Sequence, residues 1–358
     1  MTRRAGDDGR NIDPRVGSLG GEGAHQRTGG EEPGNLQPYT TWSNPAGSPP
    51  HEGDPTYYDR PVLKEPVWIW AVPAYFYAGG VAGASAILAA AAEGLRGDDT
   101  RNLVVRARWI AAASAGAGSV LLIHDLGRPE RFLNMLRVFR PTSPMSVGSW
   151  ILATATPLLG GAALLSRARG GPGRWGRILG AAGAALGLPL TTYTAVLLSN
   201  TAVPLWQETR RSLPFLFAAS AAGGSAALLD MTDLTTKERN IVRRFGMAAA
   251  AAEVVAGAWV EREANRIERV GKPLREGVGG GLWTASRSLT IASASLSALG
   301  GRRRWARVLS ALAGTGASVA TRFAVFHAGK GSARDPRATF HLQRQTGAAP
   351  VDRTSPTI

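Results

Sequence analysis

Tyr75, His124, Asp125 and Tyr193 place polar side chains at the ends of long apolar runs. A phenol and an imidazole in such a position can hydrogen-bond the two carbonyls of a quinone and pass protons to it. Neither group needs a charge to do so, which suits a partly apolar site. Asp125 adds a carboxylate able to assist proton transfer. A second set, Glu253, Arg287 and Arg322, falls inside apolar runs. Ionisable groups within a membrane are expensive to leave unpaired. They fit a proton relay, with Glu253 as its carboxylate, or the substrate site of a secondary transporter. A structural Glu–Arg pair between neighbouring helices is the plainer reading. The third set is the stretch HDLGRPERFLNMLRVFRPTSPMSVGSW, residues 124–150, with Arg128, Arg131, Arg137 and Arg140 among three prolines. A long loop with rigid punctuation often carries function. This one fits either lipid phosphates or a docking partner.

Composition narrows the chemistry. The 358 residues include no Cys, which excludes disulfides, thiolate metal sites, iron–sulfur clusters ligated by this chain and thiol catalysis. Five His leave little for a metal centre, and only His124 and His327 lie in or beside apolar runs, so a two-His haem b is the one haem arrangement left to weigh. Each is equally well explained as an interfacial residue, and neither bound haem nor a resident metal is expected. The net charge of +15 is almost all Arg, since Lys occurs at four positions only.

The mean hydropathy of −0.06 conceals three regions. Residues 1–60 are rich in Gly, Pro and charged side chains and cannot bury enough surface to offset ordering entropy, so a disordered polar tail is expected. The Arg pair of MTRR is not followed by the apolar run of a secretory signal. Residues 331–358 are polar again. Between them, 61–330, apolar runs recur at about 67–92, 105–124, 146–166, 178–198, 213–231, 245–260, 282–300 and 305–327. Crossing ~30 Å of hydrocarbon takes about 20 helical residues, so the reading is an all-α integral membrane protein of eight transmembrane helices in two four-helix halves. Their Ala, Gly and Ser content allows close backbone approach where lipid gives no hydrophobic drive. The +15 charge then reads as Arg collared around membrane crossings and not as a nucleic-acid footprint.

An even number of crossings puts both tails on one face, X, together with loops 125–145, 199–212 and 261–281. Side Y carries sixteen Lys and Arg in and beside its loops against eleven in the three X loops, but the five beside the tails bring X level. Orientation therefore stays open. Tyr75, His124, Asp125, Trp150, Tyr193 and Trp206 all fall toward X, whereas Trp68, Trp70 and Trp109 read as interfacial belt residues. Pro73, Pro157 and Pro189 stand inside the first, third and fourth runs and are expected to free the carbonyls of Ile69, Ala153 and Ala185.

Four stretches resemble the NrfD/PsrC family of integral membrane subunits, the polysulfide reductase membrane subunits. They are EPVWIWAVPAYFYAGGVAGAS (65–85), residues 124–150, YTAVLLSNTAVPLW (193–206) and RFAVFHAG (322–329). The resemblance covers about Tyr57 to Arg344. It implies an eight-helix anchor in a bacterial cytoplasmic membrane, without a resident redox cofactor, that exchanges electrons between the membrane quinone pool and a docked iron–sulfur, ferredoxin-like subunit. That subunit in turn contacts a molybdopterin catalytic subunit. Menaquinone or ubiquinone is the expected exchangeable substrate. Tyr193 matches the family's site Tyr; Val72 and Tyr75 stand where the family can carry Asn and His, and of these only Tyr75 keeps a hydrogen-bonding group. His124 and Asp125 stand at a helix end that is often acidic or His-containing in the family. The Arg residues of 125–145 would receive an acidic iron–sulfur partner.

Overall fold

The computed structural model describes residues 63–127, 129–300 and 303–339, together with the dipeptides Ile12–Asp13 and Ser18–Leu19. The chain divides into Met1–Pro50 and His51–Ile358. In the first unit, Ile12–Asp13 pairs antiparallel with Ser18–Leu19. The remainder of the expected polar tail, and the polar segment from residue 340 onward, lie outside the described residues.

The second unit is helical. Its elements are α1 (Ala71–Arg96), α2 (Arg101–Leu126), α3 (Pro129–Met135), α4 (Pro144–Leu164), α5 (Gly170–Ser199) and α6 (Pro204–Glu208). They continue as α7 (Leu213–Asp230), α8 (Thr236–Ala264), α9 (Glu268–Gly271), α10 (Gly277–Gly300), α11 (Arg304–Arg334) and α12 (Pro336–Thr339). Six of these regions are long and apolar enough to cross a membrane: Ala71–Leu95, Arg101–Leu126, Pro144–Arg167, Gly170–Ser199, Leu213–Asp230 and Arg304–Arg334. α8 and α10 are long helices but miss that apolar threshold. The physical reason is composition. α8 extends well beyond its apolar centre into charged turns at both ends and carries Glu253 within it, and α10 is Ser-rich around Arg287.

α1 lies at the middle, packed on α2, α5, α7 and α11, while α7 packs on α1, α5, α8 and α11. α4 completes the first set against α2 and α5, and α10 completes the second against α8 and α11. α1 and α5 cross at Gly83 and Gly187, where a Cβ on either residue would run into the other's backbone carbonyl. Small residues at a crossing are what close packing in lipid demands.

Helix ends are tied by carboxylates from neighbouring helices. Asp125, at the end of α2, accepts the Ile69 N–H just ahead of α1 at 3.2 Å. Buried Glu238 accepts the Leu103 N–H of α2 at 2.7 Å and closes a capping box with Thr235 on its own helix. Glu263 accepts both the N–H and the hydroxyl of Ser212, which precedes α7, the latter at 2.7 Å. Each places negative charge on unpaired amide donors at a helix start. Pro73 departs from expectation. α1 begins at Ala71, so the proline occupies its first turn, where no helical donor is lost, and the Ile69 carbonyl accepts the Val72 N–H at 3.1 Å. Pro157 and Pro189 do lie inside helices.

Candidate functional site

Tyr75 and Tyr193 are brought together. Tyr75 points inward from the second turn of α1, and its ring centroid is 6.4 Å from that of Tyr193 in the last two turns of α5, the rings tilted by 58°. Gly148 in the first turns of α4 gives the Tyr193 ring its place, since a Cβ there would collide with the ring's Cε2 edge. Gly118 of α2 flanks Tyr75 in the same way, its Cβ position 3.3 Å from Cδ2. Tyr75 is 2% exposed, and its hydroxyl has no hydrogen-bond partner among the described residues. A buried hydroxyl left unpaired by the protein is uncommon and needs an explanation such as a ligand. Phe76 extends the aromatic layer to Phe217 of α7, with centroids 6.3 Å apart.

His124 and Asp125 stand nearer the surface. His124 is exposed and packs on Trp70 at 6.0 Å. Being six residues beyond Gly118, it sits about 9 Å along the helix axis from the Tyr75 contact. Asp125 serves the helix cap described above. Trp68 departs from a belt role. It is half-buried and stacks on the fully buried Trp206 of α6 at 6.1 Å, and Trp206 Nε1 donates to the Val325 carbonyl at 2.9 Å. Trp70 and Trp109 are exposed. Lys330 donates to the Trp68 carbonyl, and Glu65 forms a fork with Arg334 at 2.6 and 3.1 Å and an ion pair with Lys330 at 3.2 Å. Burial raises the Glu65 carboxyl, but the hydrogen bonds and charges of Arg334 and Lys330 outweigh it and hold the group below the usual carboxylate range. The segment entering α1 is thus latched to the end of α11.

The basic loop folds as α3 followed by turns. Arg137 and Arg140 are exposed; Arg128 lies outside the described residues, as does the side chain of Arg131. Leu133, Val138, Phe139 and Met145 are exposed beside them, with Phe139 edge-on to Trp150 at 6.2 Å. This surface combines cationic and apolar groups.

Among the charges of α8, α10 and α11, a Glu–Arg pair between neighbouring helices is present, but through Glu261 and not through Glu253. Arg322 is fully buried, donates to the Phe217 carbonyl at 2.7 Å and lies over the Phe217 ring at 4.0 Å. Glu253 instead accepts from Thr321 at 2.9 Å and Thr290 at 3.4 Å. Arg287 pairs with Glu261, which also accepts Trp283 Nε1. His327 packs on Phe323 and Phe326, 6.4 and 5.4 Å away. Among the described residues, no group of three or more His, Asp or Glu is placed to hold a metal ion.

Sequence reasoning passed over Phe76, Phe217 and Gly148, which shape the tyrosine layer. It also passed over Glu261 and over Glu93, the partner of buried Arg108 at 2.6 Å. Aromatic and glycine placement in α1 and α4 was the available signal for Phe76 and Gly148. The ion pairs join residues that no local pattern relates.

A family model described as Polysulphide reductase, NrfD matches residues 61–257. No curated protein matches the chain.

Proposed function

The chain belongs to the polysulphide reductase NrfD family, a family of membrane subunits of redox enzyme complexes, and on that premise we propose that it is the quinone-reactive membrane anchor of a bacterial oxidoreductase. The observation that carries this reading is the buried Tyr75 hydroxyl, unpartnered and set against Tyr193. Two phenols at the X-side ends of α1 and α5 can each donate to one carbonyl of a quinone head group. Menaquinone and ubiquinone both fit this donor set, and the tail would leave toward lipid. When bound, the quinone supplies reversible two-electron, two-proton chemistry.

The residues of the chain do the rest. Tyr75 and Tyr193 orient the head group, and the Phe76–Phe217 pair separates it from the charged interior beyond. His124, exposed at the X surface, exchanges protons with water and passes them inward. Asp125 supports that exchange while holding the start of α1. The exposed Arg137 and Arg140, with Arg128 and Arg131 of the same segment, receive an acidic iron–sulfur, ferredoxin-like subunit, and a molybdopterin subunit lies beyond it. Docking on that face keeps the electron path to the tyrosines short. In this reading α8 and α10 also cross the bilayer, making eight crossings of a bacterial cytoplasmic membrane. Val254, Val255 and Trp259 on α8 and Ile291 and Leu299 on α10 are exposed apolar side chains that lipid would cover.

Photolabelling tests the reading. An azidoquinone irradiated with the full-length chain in membranes is expected to label peptides from the X-side ends of α1, α4 and α5, with excess unmodified quinone suppressing the label. Label confined to α8, α10 and α11 would contradict it.

A further inference from the structure

The Y-side ends of α8 and α11 gather positive charge in excess of its partners. Lys237, Arg239, Arg243 and Arg244 lie in the first turns of α8, and Arg303, Arg304 and Arg307 open α11; they outnumber Asp230, Asp233 and the capping Glu238. α11 has no acidic residue in its first turn, although the positive end of a helix dipole disfavours cations there. Arg239 donates to the Leu234 carbonyl and Lys237 pairs with Asp99. Arg243 and Arg307 instead flank Asp230 at the end of α7, all three half-buried. Arg307 Nε and Asp230 Oδ1 have no hydrogen-bond partner among the described residues. One carboxylate between two guanidinium groups leaves a net positive charge, and Arg244, Arg303 and Arg304 are exposed beside it. Trp305, 56% exposed, marks the depth, since Trp favours the head-group level of a bilayer.

A crevice runs from this mouth toward the middle of the helices. α8 and α10 meet where Thr290 donates to Glu253, where Trp283 reaches Gly257 and where Glu261 receives Trp283 and Arg287, all near their midpoints or closer to X. Toward Y they part and line opposite walls, Gly246, Met247 and Ala250 on α8 and Ala294 and Ser297 on α10. These walls are small and uncharged, and Met247 is 42% exposed. Cations at the mouth above such walls complement an amphiphile with a negative head. Basic pockets between transmembrane helices bind anionic lipid head groups, whereas a zwitterionic head would bring its own ammonium among the arginines.

We propose that this mouth is a binding site for one anionic phospholipid. Arg243 and Arg307 hold its phosphate, and one fatty chain lies along the crevice past Met247 and Ala250, bridging the parted halves of α8 and α10. The site rests on α8 and α10 crossing the bilayer, as proposed above, and holds whether or not the tyrosines bind quinone.

Photoactive lipids test it. The full-length chain is reconstituted in phosphatidylcholine vesicles with a trace of phosphatidylglycerol or phosphatidylcholine carrying a diazirine in one acyl chain. The phosphatidylglycerol probe is expected to label peptides containing Met247–Ala250 and Ala294–Ser297 about tenfold more than the other, as two basic groups near an anionic head group give. Arg243→Gln with Arg307→Gln should abolish that preference, and Arg243→Lys with Arg307→Lys should keep part of it. Arg174→Gln with Arg177→Gln, at the Y end of α5, should leave it intact. Equal labelling by both probes, a preference untouched by the first pair, or one lost equally in the α5 pair would overturn the site and leave the crossings standing. Label on neither helix from either probe would contradict the crossings and the site together. Loss of the preference in millimolar inorganic phosphate would show a free-anion site instead. Without phosphatidylglycerol the first pair should melt at the temperature of the unmodified chain; a lower one would show that these arginines serve the fold and overturn the assignment.

Discussion

In a Tyr75→Phe variant, quinone-coupled turnover of the assembled enzyme is expected to fall about a hundredfold, the lower end for loss of a proton-donating side chain, while the chain itself keeps or gains stability. The two halves of this result have one cause. The Tyr75 ring is buried against Phe76, Tyr193 and Gly118, and Phe preserves those contacts. The hydroxyl makes no hydrogen bond to any of the described residues. Burying such a group costs about 1–3 kcal/mol, so removing it relieves the fold. With quinone bound, the same deletion removes a donor to a carbonyl. Tyr193→Phe is expected to lower the same activity. Dye-linked activity, which would draw electrons from the proposed partner subunits and bypass this chain, should be unchanged in both variants. Unchanged quinone turnover in both would remove the site. A loss of thermal stability in Tyr75→Phe would show that its hydroxyl serves the fold.

The largest structural loss is expected from Trp206→Ala. Trp206 is fully buried, stacks on Trp68, donates to the Val325 carbonyl and lies against Gly329, where a Cβ would collide with its indole. Removing such an aromatic costs about 3–5 kcal/mol, and the stranded carbonyl adds about 1–3 kcal/mol. Against a net stability on the order of 5–15 kcal/mol, that is a large share. The loss falls where α6, α11 and the segment leading into α1 meet, so the variant should accumulate poorly in the membrane and melt at lower temperature in detergent. Trp206→Phe keeps the ring contact and loses the donor, and should recover part of the stability. A normal melting temperature for Trp206→Ala would show that Trp68 and Val325 find other partners.

The long helices were legible because a bilayer imposes a minimum length on apolar runs. The eight runs overlap α1, α2, α4, α5, α7, α8, α10 and α11, with ends displaced by up to nine residues because the helices continue past the apolar stretch into polar turns. α8 shows the limit: its apolar centre is interrupted by Glu253, and charged turns flank it, so composition alone does not set it in the membrane. The meeting of Tyr75 and Tyr193 followed from alternation, which puts the start of the first run and the end of the fourth on one face. What joins residues far apart in the chain was not legible. Trp68 looked like a belt residue because its partner, Trp206, lies on α6, beyond four of the long helices. Glu261 took Arg287, and Thr290 and Thr321 took Glu253, because hydroxyls on neighbouring helices compete with distant charges for a carboxylate. Pro73 looked like an interior break because the apolar pattern begins before the helix does.

The central claim is that Tyr75 and Tyr193 hold a quinone head group. Equilibrium titration of the purified full-length chain with a short-tailed quinone, followed by calorimetry, measures it most directly. Two hydrogen bonds at about 0.5–1.5 kcal/mol each predict that a chain carrying both Tyr75→Phe and Tyr193→Phe binds roughly tenfold or more weakly than the unmodified chain. Equal affinity in the doubly substituted chain, with its melting temperature intact, would contradict the claim.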